Sequence, residues 1–303
     1  MKIQRATFLG VRGVADATLD LTDPRTGAPH GAVVISGPSG SGKTRLLEAL
    51  IAAKETISPY GFLPQGAAWI GDSGAAKIVI TFHLDEAERQ YAGAQSTSLE
   101  GEVIFLPERS RVEADEGLRA VLDRYSHDPA QGKLEYFPAT RQVTRHPPFA
   151  SLGTAEQRLG RAAKDPRKYS FVVTFLRSLE FERARAERFA ARLAAFSPTL
   201  RFVPGTEPEA LPRCLSSRGG PPVTPFDLSD GETDAVIFAA TSIVVGLDHS
   251  IVLIDRPDLH ADDLGHLVSG LEGMGQDNQL LLTGRPELAA AAGGALVVTL
   301  KGS

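Results

Sequence analysis

Cysteine is almost absent: Cys214 is the only one in 303 residues, so no intrachain disulfide can form and a reducing, cytoplasmic setting is expected. No early stretch has the charged, apolar and small-residue zones of a secretory signal. No apolar run is long enough to span a bilayer, and the longest, such as 235–247, read as core helices. No heptad is sustained and no internal repeat stands out, so no long coiled-coil arm is expected. Positive charge is not in surplus either. Lys and Arg total 32 against 37 Asp and Glu, a net charge of −5, so the chain as a whole is no electrostatic trap for nucleic acid. What remains is 42% hydrophobic content in a chain long enough to bury a full core, as one large domain with an insertion or as two small ones.

What the sequence does contain is Gly37-Pro38-Ser39-Gly40-Ser41-Gly42-Lys43-Thr44, set between an apolar strand (32–36) and an amphipathic helix (45–54). That strand-loop-helix context is the one a Walker A loop requires. The glycines allow successive backbone N–H groups to turn inward on a phosphate, and the helix start adds partial positive charge. Lys43 then reaches the terminal phosphates and Thr44 offers its hydroxyl to magnesium, with Arg45 completing the expected nucleotide-binding set. A glycine-rich turn that merely caps a helix would leave the Gly-Lys-Thr ending unexplained. ATP and Mg²⁺ are therefore the expected ligands.

Two further segments refine this. Leu228-Ser229-Asp230-Gly231-Glu232 precedes a helical stretch (233–247), and the apolar strand 251–254 delivers Asp255 at its end. This order resembles the signature motif and Walker B of ABC-type ATPases, in the branch containing SMC, RecF and OLD-like proteins. The opening fits too: 2–9 reads as a strand, Gly10-Val11-Arg12-Gly13 resembles the Asn-Phe-Arg-Gly turn of that branch, and 14–21 reads as the returning strand. The resemblance covers about residues 1–84 and 223–300. It implies a P-loop NTPase of the ABC type: a three-layer α/β sandwich with an antiparallel β edge and a helical insertion between 85 and 222, the chain returning to the ATPase domain over 223–303. It also implies that one chain holds half a site. In the family, ATP on the Walker A loop of one subunit is closed over by the signature of another, so Ser229, Gly231 and Glu232 would act in trans within a homodimer, or a heterodimer with a related ATPase. Ser229 and Glu232 also have the spacing of a capping box, and both readings can hold together. His260 matches a histidine that relatives carry after Walker B as a dimer contact.

Asp255, a carboxylate at the end of a buried strand beside the phosphate loop, is expected to hold magnesium through a water. Here the sequence departs from its relatives. The next residue is normally a glutamate that prepares the attacking water, and here it is Arg256, which cannot act as a base at neutral pH. The switch histidine expected after the next strand is replaced by Gly284, in Gly284-Arg285-Pro286-Glu287. Slow or absent hydrolysis follows. The competing expectation is a substitute acid, Asp258 first, or Asp262 or Asp263 reaching the opposite subunit's site. Arg256 and Arg285 either contact phosphates or pair with neighbouring carboxylates such as Asp258 and Glu287.

Within 85–222, strands are expected at 102–106 and 133–137 and a helix at 112–125, after a strand at 76–84. Phe137-Pro138-Ala139 with Arg141 resembles the Tyr-Phe-Pro-Ala-x-Arg stretch of OLD-like ATPases, and Gln142 is a candidate for sensing the γ-phosphate. Between Arg141 and Arg192 lie twelve Lys and Arg against five acids, and apolar residues recur at helical spacing. A long arginine-rich helix over 156–196, straight or bent, is expected, contacting DNA or a protein partner, or simply covering the core. A Pro/Gly linker is expected over 204–225. Beyond Asp255, strands at 279–283 and 295–299 alternate with helices at 261–274 and 286–292, as in a parallel sheet with crossovers. Few residues follow the last strand, so any cutting or signalling activity is expected from a separately encoded effector. The leading expectation is an ATP-dependent dimerisation switch. The alternatives are an active ATPase in DNA repair or anti-phage defence, and a scaffold holding ATP as a structural ligand.

Overall fold

The structure is a computed structural model that describes residues 1–61, 63–127, 131, 133–144, 160–203, 213–216 and 221–301. Strands β1 (Lys2–Leu9) and β2 (Ala17–Asp20) pair antiparallel, and β3 (Ala32–Ser36) leads into helix α1 (Lys43–Ile57). The chain returns beside β1 with β4 (Ala76–His83), then α2 (Glu86–Ala92), β5 (Ser98–Phe105) and β6 (Ser110–Ala114). Helix α3 (Glu116–His127) precedes β7 (Leu134–Phe137), and α4 (Phe171–Ser178) and α5 (Arg183–Phe196) precede a two-stranded unit, β8 (Leu200–Val203) with β9 (Arg213–Ser216). Then come α6 (Asp230–Thr241), β10 (Ile251–Asp255), α7 (Leu264–Glu272), β11 (Gln279–Thr283), α8 (Pro286–Ala291) and β12 (Leu296–Thr299).

Two five-stranded sheets result, one antiparallel (β2-β1-β4-β5-β6) and one parallel (β12-β3-β11-β10-β7). Helix α1 packs against both, and one apolar core lies on that side of the parallel sheet; a second lies on its other face under α4 to α8. The parallel strands carry helices or sheet on both faces, which is why β10 is buried at every position and reads as an unbroken apolar run ending in Asp255. Strand β4 has one face to water, and its burial alternates accordingly. Register fixes the functional edge: Ile35 pairs with Thr283, Thr283 with Asp255, and Ile254 with Phe137. Four strand ends therefore deliver the Walker A loop, Asp255, the Gly284 loop and the Pro138 loop to one rim. Residues 85–222 supply β5 and β6 to the first sheet and β7 to the second.

Several expectations are corrected. The helix expected from Val112 begins only at Glu116, because Val112 pairs across to Val103 and extends the antiparallel sheet to Ala114. The single long arginine-rich helix is two, with a break between Ser178 and Arg183. Their apolar faces fold on one another, with the Phe175 and Phe189 rings edge-to-face at 5.4 Å, which one continuous helix could not achieve. Its expected start, 156–159, lies outside the described residues. Part of the expected linker is strand β9, whose Cys214 also exchanges backbone bonds with Val223; 204–212 and 217–220 lie outside the described residues. The returning strand begins at Ala17, after a turn in which Gly10 N donates to Asp16 Oδ1 at 2.7 Å. Burial pushes the Cys214 thiol up to about 12, so the lone cysteine is a packing residue with little thiolate. Among the described residues no helix is long and apolar enough to cross a membrane.

A buried charge cluster anchors the turn before α4. Glu135 on β7 accepts from Arg161 Nη1 at 2.9 Å and from Lys168 Nζ at 3.1 Å, and Lys168 also donates to Arg161 O at 2.9 Å. Burial lowers Lys168 to about 8, partly opposed by Glu135 and reinforced by Arg161. Between about pH 8 and 10.5 the unfolded chain therefore holds a proton that the fold has released, and the stability contributed at this site rises with pH through that window. Urea midpoints of wild type and Lys168→Met, compared from pH 7.5 to 10 at constant salt, are expected to differ in slope, the wild type rising relative to the variant. Parallel profiles would exclude this assignment.

Candidate nucleotide-binding site

The Walker A loop leaves β3 and closes on α1. Gly42 has φ 88°, and a Cβ there would stand 2.3 Å from Gly13 O, so only glycine lets the loop pass the Gly10–Gly13 turn. Helix α1 starts with no side-chain cap and no acidic residue in its first turn, leaving its N–H groups for an anion. The Lys43 ammonium folds back to donate to Gly37 O at 2.7 Å and Pro38 O at 2.8 Å. Ser41 Oγ is buried without a hydrogen-bond partner. An orphaned hydroxyl, free helix-start donors and a lysine parked on loop carbonyls together fit a triphosphate.

The residues expected to hold a metal are also brought together. Thr44 Oγ1 donates to Asp255 at 2.9 and 3.0 Å, and Thr283 Oγ1 donates to Asp255 Oδ1 at 2.5 Å. Arg256 N in turn donates to Thr283 Oγ1 at 3.0 Å, so the β11 hydroxyl fixes both the carboxylate and the chain that follows it. Among the described residues no three His, Cys, Asp or Glu gather as a metal cluster. One carboxylate with hydroxyl oxygens suits Mg²⁺, which takes few protein ligands and keeps its waters. Arg45 is engaged elsewhere: it stacks 3.7 Å over Trp69, and donates to Arg12 O at 3.1 Å and to Ala68 O. It braces the Walker helix against the first sheet.

Ser229 is the N-cap of α6. Its hydroxyl accepts from Glu232 N at 3.4 Å while Glu232 Oε2 accepts from Ser229 N at 3.0 Å, so the capping box is formed. Gly231 packs on the loop after β10, where an added Cβ would be 2.8 Å from His260 O. Beside it opens a cavity of about 460 Å³, lined by Ser229, Gly231, Glu232, His260 and Leu267 among others and by no Walker A residue. The signature loop thus opens on a cavity that the phosphate loop of its own chain does not line.

The loop after Asp255 is tightly tied. Arg256 sits at φ 52°, a left-handed conformation unusual for arginine. Asp258 is fully buried, accepting from Arg285 N at 3.0 Å and Arg285 Nε at 2.9 Å, with Arg256 Nε 3.7 Å from its other oxygen. Both arginines therefore meet Asp258; Arg285 does not use Glu287. A Cβ at Gly284 would lie 2.6 Å from Leu288 Cδ2 and 3.2 Å from Asp258 Oδ1, so any side chain at the switch position would have to displace the Leu288 methyl. Asp263 caps α7 through His266 N at 3.0 Å, and Gln142 is exposed.

Of the cations in the arginine-rich stretch, Arg141, Arg161 and Lys168 are buried, and Arg183 and Arg185 pair with Glu187 and Glu182 at 2.9 and 3.2 Å. Arg145 and Arg158 lie outside the described residues. Half of the described cations of this stretch are thus internal or paired with acids of their own helix. Sequence reasoning missed Thr283, Asp234 and the use made of Arg141. Only the Phe-Pro-Ala-x-Arg stretch hinted at the last.

No protein-family model and no curated protein matches this chain. Solved structures do. An SMC head bound to the C-winged helix domain of ScpA superposes with TM-score 0.61 at 16% identity, over 96% of this chain and 92% of that one. The SMC head domain from Thermotoga maritima gives 0.51 at 13% identity, over 97% and 93%. The chain has the ABC-type ATPase fold of SMC head domains.

Proposed function

We propose that this chain is an ATP-binding switch that dimerises on Mg·ATP and turns its ligand over slowly or not at all. One observation carries the reading: Thr44, Thr283 and Asp255 are assembled beside an open Walker A loop, whereas the nearest substitute acid, Asp258, is buried under Arg285 and Arg256. Lys43, Thr44, Ser41 and the α1 start would hold the phosphates, and Asp255 with the two hydroxyls would hold Mg²⁺, which supplies charge neutralisation at the phosphate oxygens. Ser229 and Gly231, at a cavity that no Walker A residue lines, would serve a second copy. A missing base removes about two to four orders of magnitude in rate. Asp258 cannot replace it while its two oxygens face arginines. The SMC head above was solved with a winged-helix domain of another protein, and a protein partner suits this chain better than DNA, since most of the described arginine-rich surface is paired.

The test is light scattering of the 32.2 kDa chain with and without Mg·ATP, alongside steady-state phosphate release. A doubled mass with ATP, and turnover well below the ordinary enzyme range of about 1–1,000 per second, is expected. Constant mass would favour a structural ligand, and turnover of about one per second lost in Asp258→Asn would establish the active-ATPase alternative.

A further inference from the structure

Arg141 follows the Pro138 turn at the end of β7, and its guanidinium is buried where three functional segments meet. Nε and Nη2 donate to the two oxygens of Asp234 on α6, each at 2.7 Å. Nη1 donates to Pro138 O at 2.7 Å and to Asp255 O at 2.9 Å, and Nη2 also donates to Arg256 O at 3.2 Å. All five N–H groups of the side chain are thereby used. Asp234 Oδ2 is also 3.3 Å from His260 Nδ1, and the His260 carbonyl is the atom that Gly231 packs against. The contacts run in a circuit: the backbone of the metal-binding strand end, Arg141, Asp234, helix α6, the signature loop, and back through His260.

A planar fork held at five points transmits position in a way that a lysine, with a compact ammonium on a flexible stem, cannot. Any shift of the Asp255–Arg256 backbone must move Asp234 or break a buried charge-assisted bond. Asp234 stands one turn into the helix whose start carries Ser229 and Gly231, so the shift arrives at the signature loop. We infer that Arg141 is a positioning residue coupling the nucleotide half-site of Asp255 to the signature loop that the same chain presents to a second copy, so that the two half-sites of a dimer close together. This rests on the dimerisation reading above.

Arg141→Lys and Asp234→Asn separate coupling from folding and from binding. In the full chain, affinity for a ribose-labelled fluorescent ATP is measured at dilutions where the protein is monomeric, the Mg·ATP-driven dimerisation constant by light scattering, and Tm by calorimetry. Both variants are expected to keep monomer ATP affinity within about threefold and to weaken dimerisation at least about tenfold, with the double variant no worse than either single one. Asp234→Asn keeps the size and an acceptor oxygen, and guards against a variant that simply fails to fold. Reduced Tm with an unchanged dimerisation constant would assign Arg141 a merely structural role and overturn the inference. Monomer ATP affinity falling in step with dimerisation would overturn it too, placing Arg141 in nucleotide binding. A wild type whose mass ignores Mg·ATP would instead sink the dimerisation reading, and the coupling with it.

Discussion

Lys43→Ala is expected to lower ATP affinity by about 100-fold and to abolish any ATP-driven change in mass, with little effect on Tm. The ammonium is a charge-assisted donor, and such bonds contribute about 1.5–3 kcal/mol each, so losing two such contacts to phosphate, about 3 kcal/mol or more, gives at least this factor. Its cost to the fold is small. Lys43 is only partly buried and bonds two carbonyls of its own loop, both of which water can reach once the side chain is gone. The shape of the loop comes instead from Gly42 against Gly13 O and from Gly37, where a Cβ would meet Leu300 O at 2.6 Å. Titration calorimetry on the folded variant checks this. Unchanged ATP affinity would mean that the Gly37–Thr44 loop does not cradle phosphate.

How much of this was legible in the sequence follows from which interactions are local. The Walker loop was, because glycine spacing, lysine and hydroxyl act within eight consecutive residues. The parallel strands were as well, since burial on both faces writes itself as an apolar run, as in Ile251-Val252-Leu253-Ile254. Strand β6 was not: Ser110-Arg111-Val112-Glu113-Ala114 has one strongly β-forming residue and is held by the register of β5, a partner that only the fold supplies. A bend in the arginine-rich helix could be expected, but the full α4–α5 break and its position escaped, because helical spacing is the same on both sides of it and the turn is decided by two aromatic rings meeting. The candidate site divides the same way. Thr44 and Asp255 were found by motif, whereas Thr283 joins them from a neighbouring strand, 28 residues after Asp255. Arg141 and Asp234 are 93 residues apart, and no spacing rule connects them. Asp258 was recognised as an acid of the right kind in the right loop; that it lies beneath two arginines is a property of packing.

Because Asp258 is buried, the two hydrolytic readings give opposite expectations for a pair of substitutions. Asp258→Ala removes the acceptor of Arg285 N and Nε and leaves Arg256 facing an empty site. Breaking a fully buried pair costs about 3–5 kcal/mol, but Arg285 and Arg256 are partly exposed and can rehydrate, so about 2–3 kcal/mol is expected, a fall in Tm of roughly 5–10 °C. Phosphate release is expected to match that of the wild type, because the carboxylate removed lies under two arginines. Arg256→Glu does the reverse. It places a carboxylate where relatives of this fold carry their base, directly after Asp255, and the nearby Asp258 disfavours its ionisation and so moves its pKa toward the working pH, as a general base requires. A rise in single-turnover rate of about 10–100-fold is expected, the low end of what a base contributes because Gly284 still leaves the γ-phosphate without a histidine. Rapid-quench measurements on both variants decide the matter. If Asp258→Ala erases turnover at intact Tm while Arg256→Glu leaves the rate untouched, Asp258 is the base and the chain is a working ATPase.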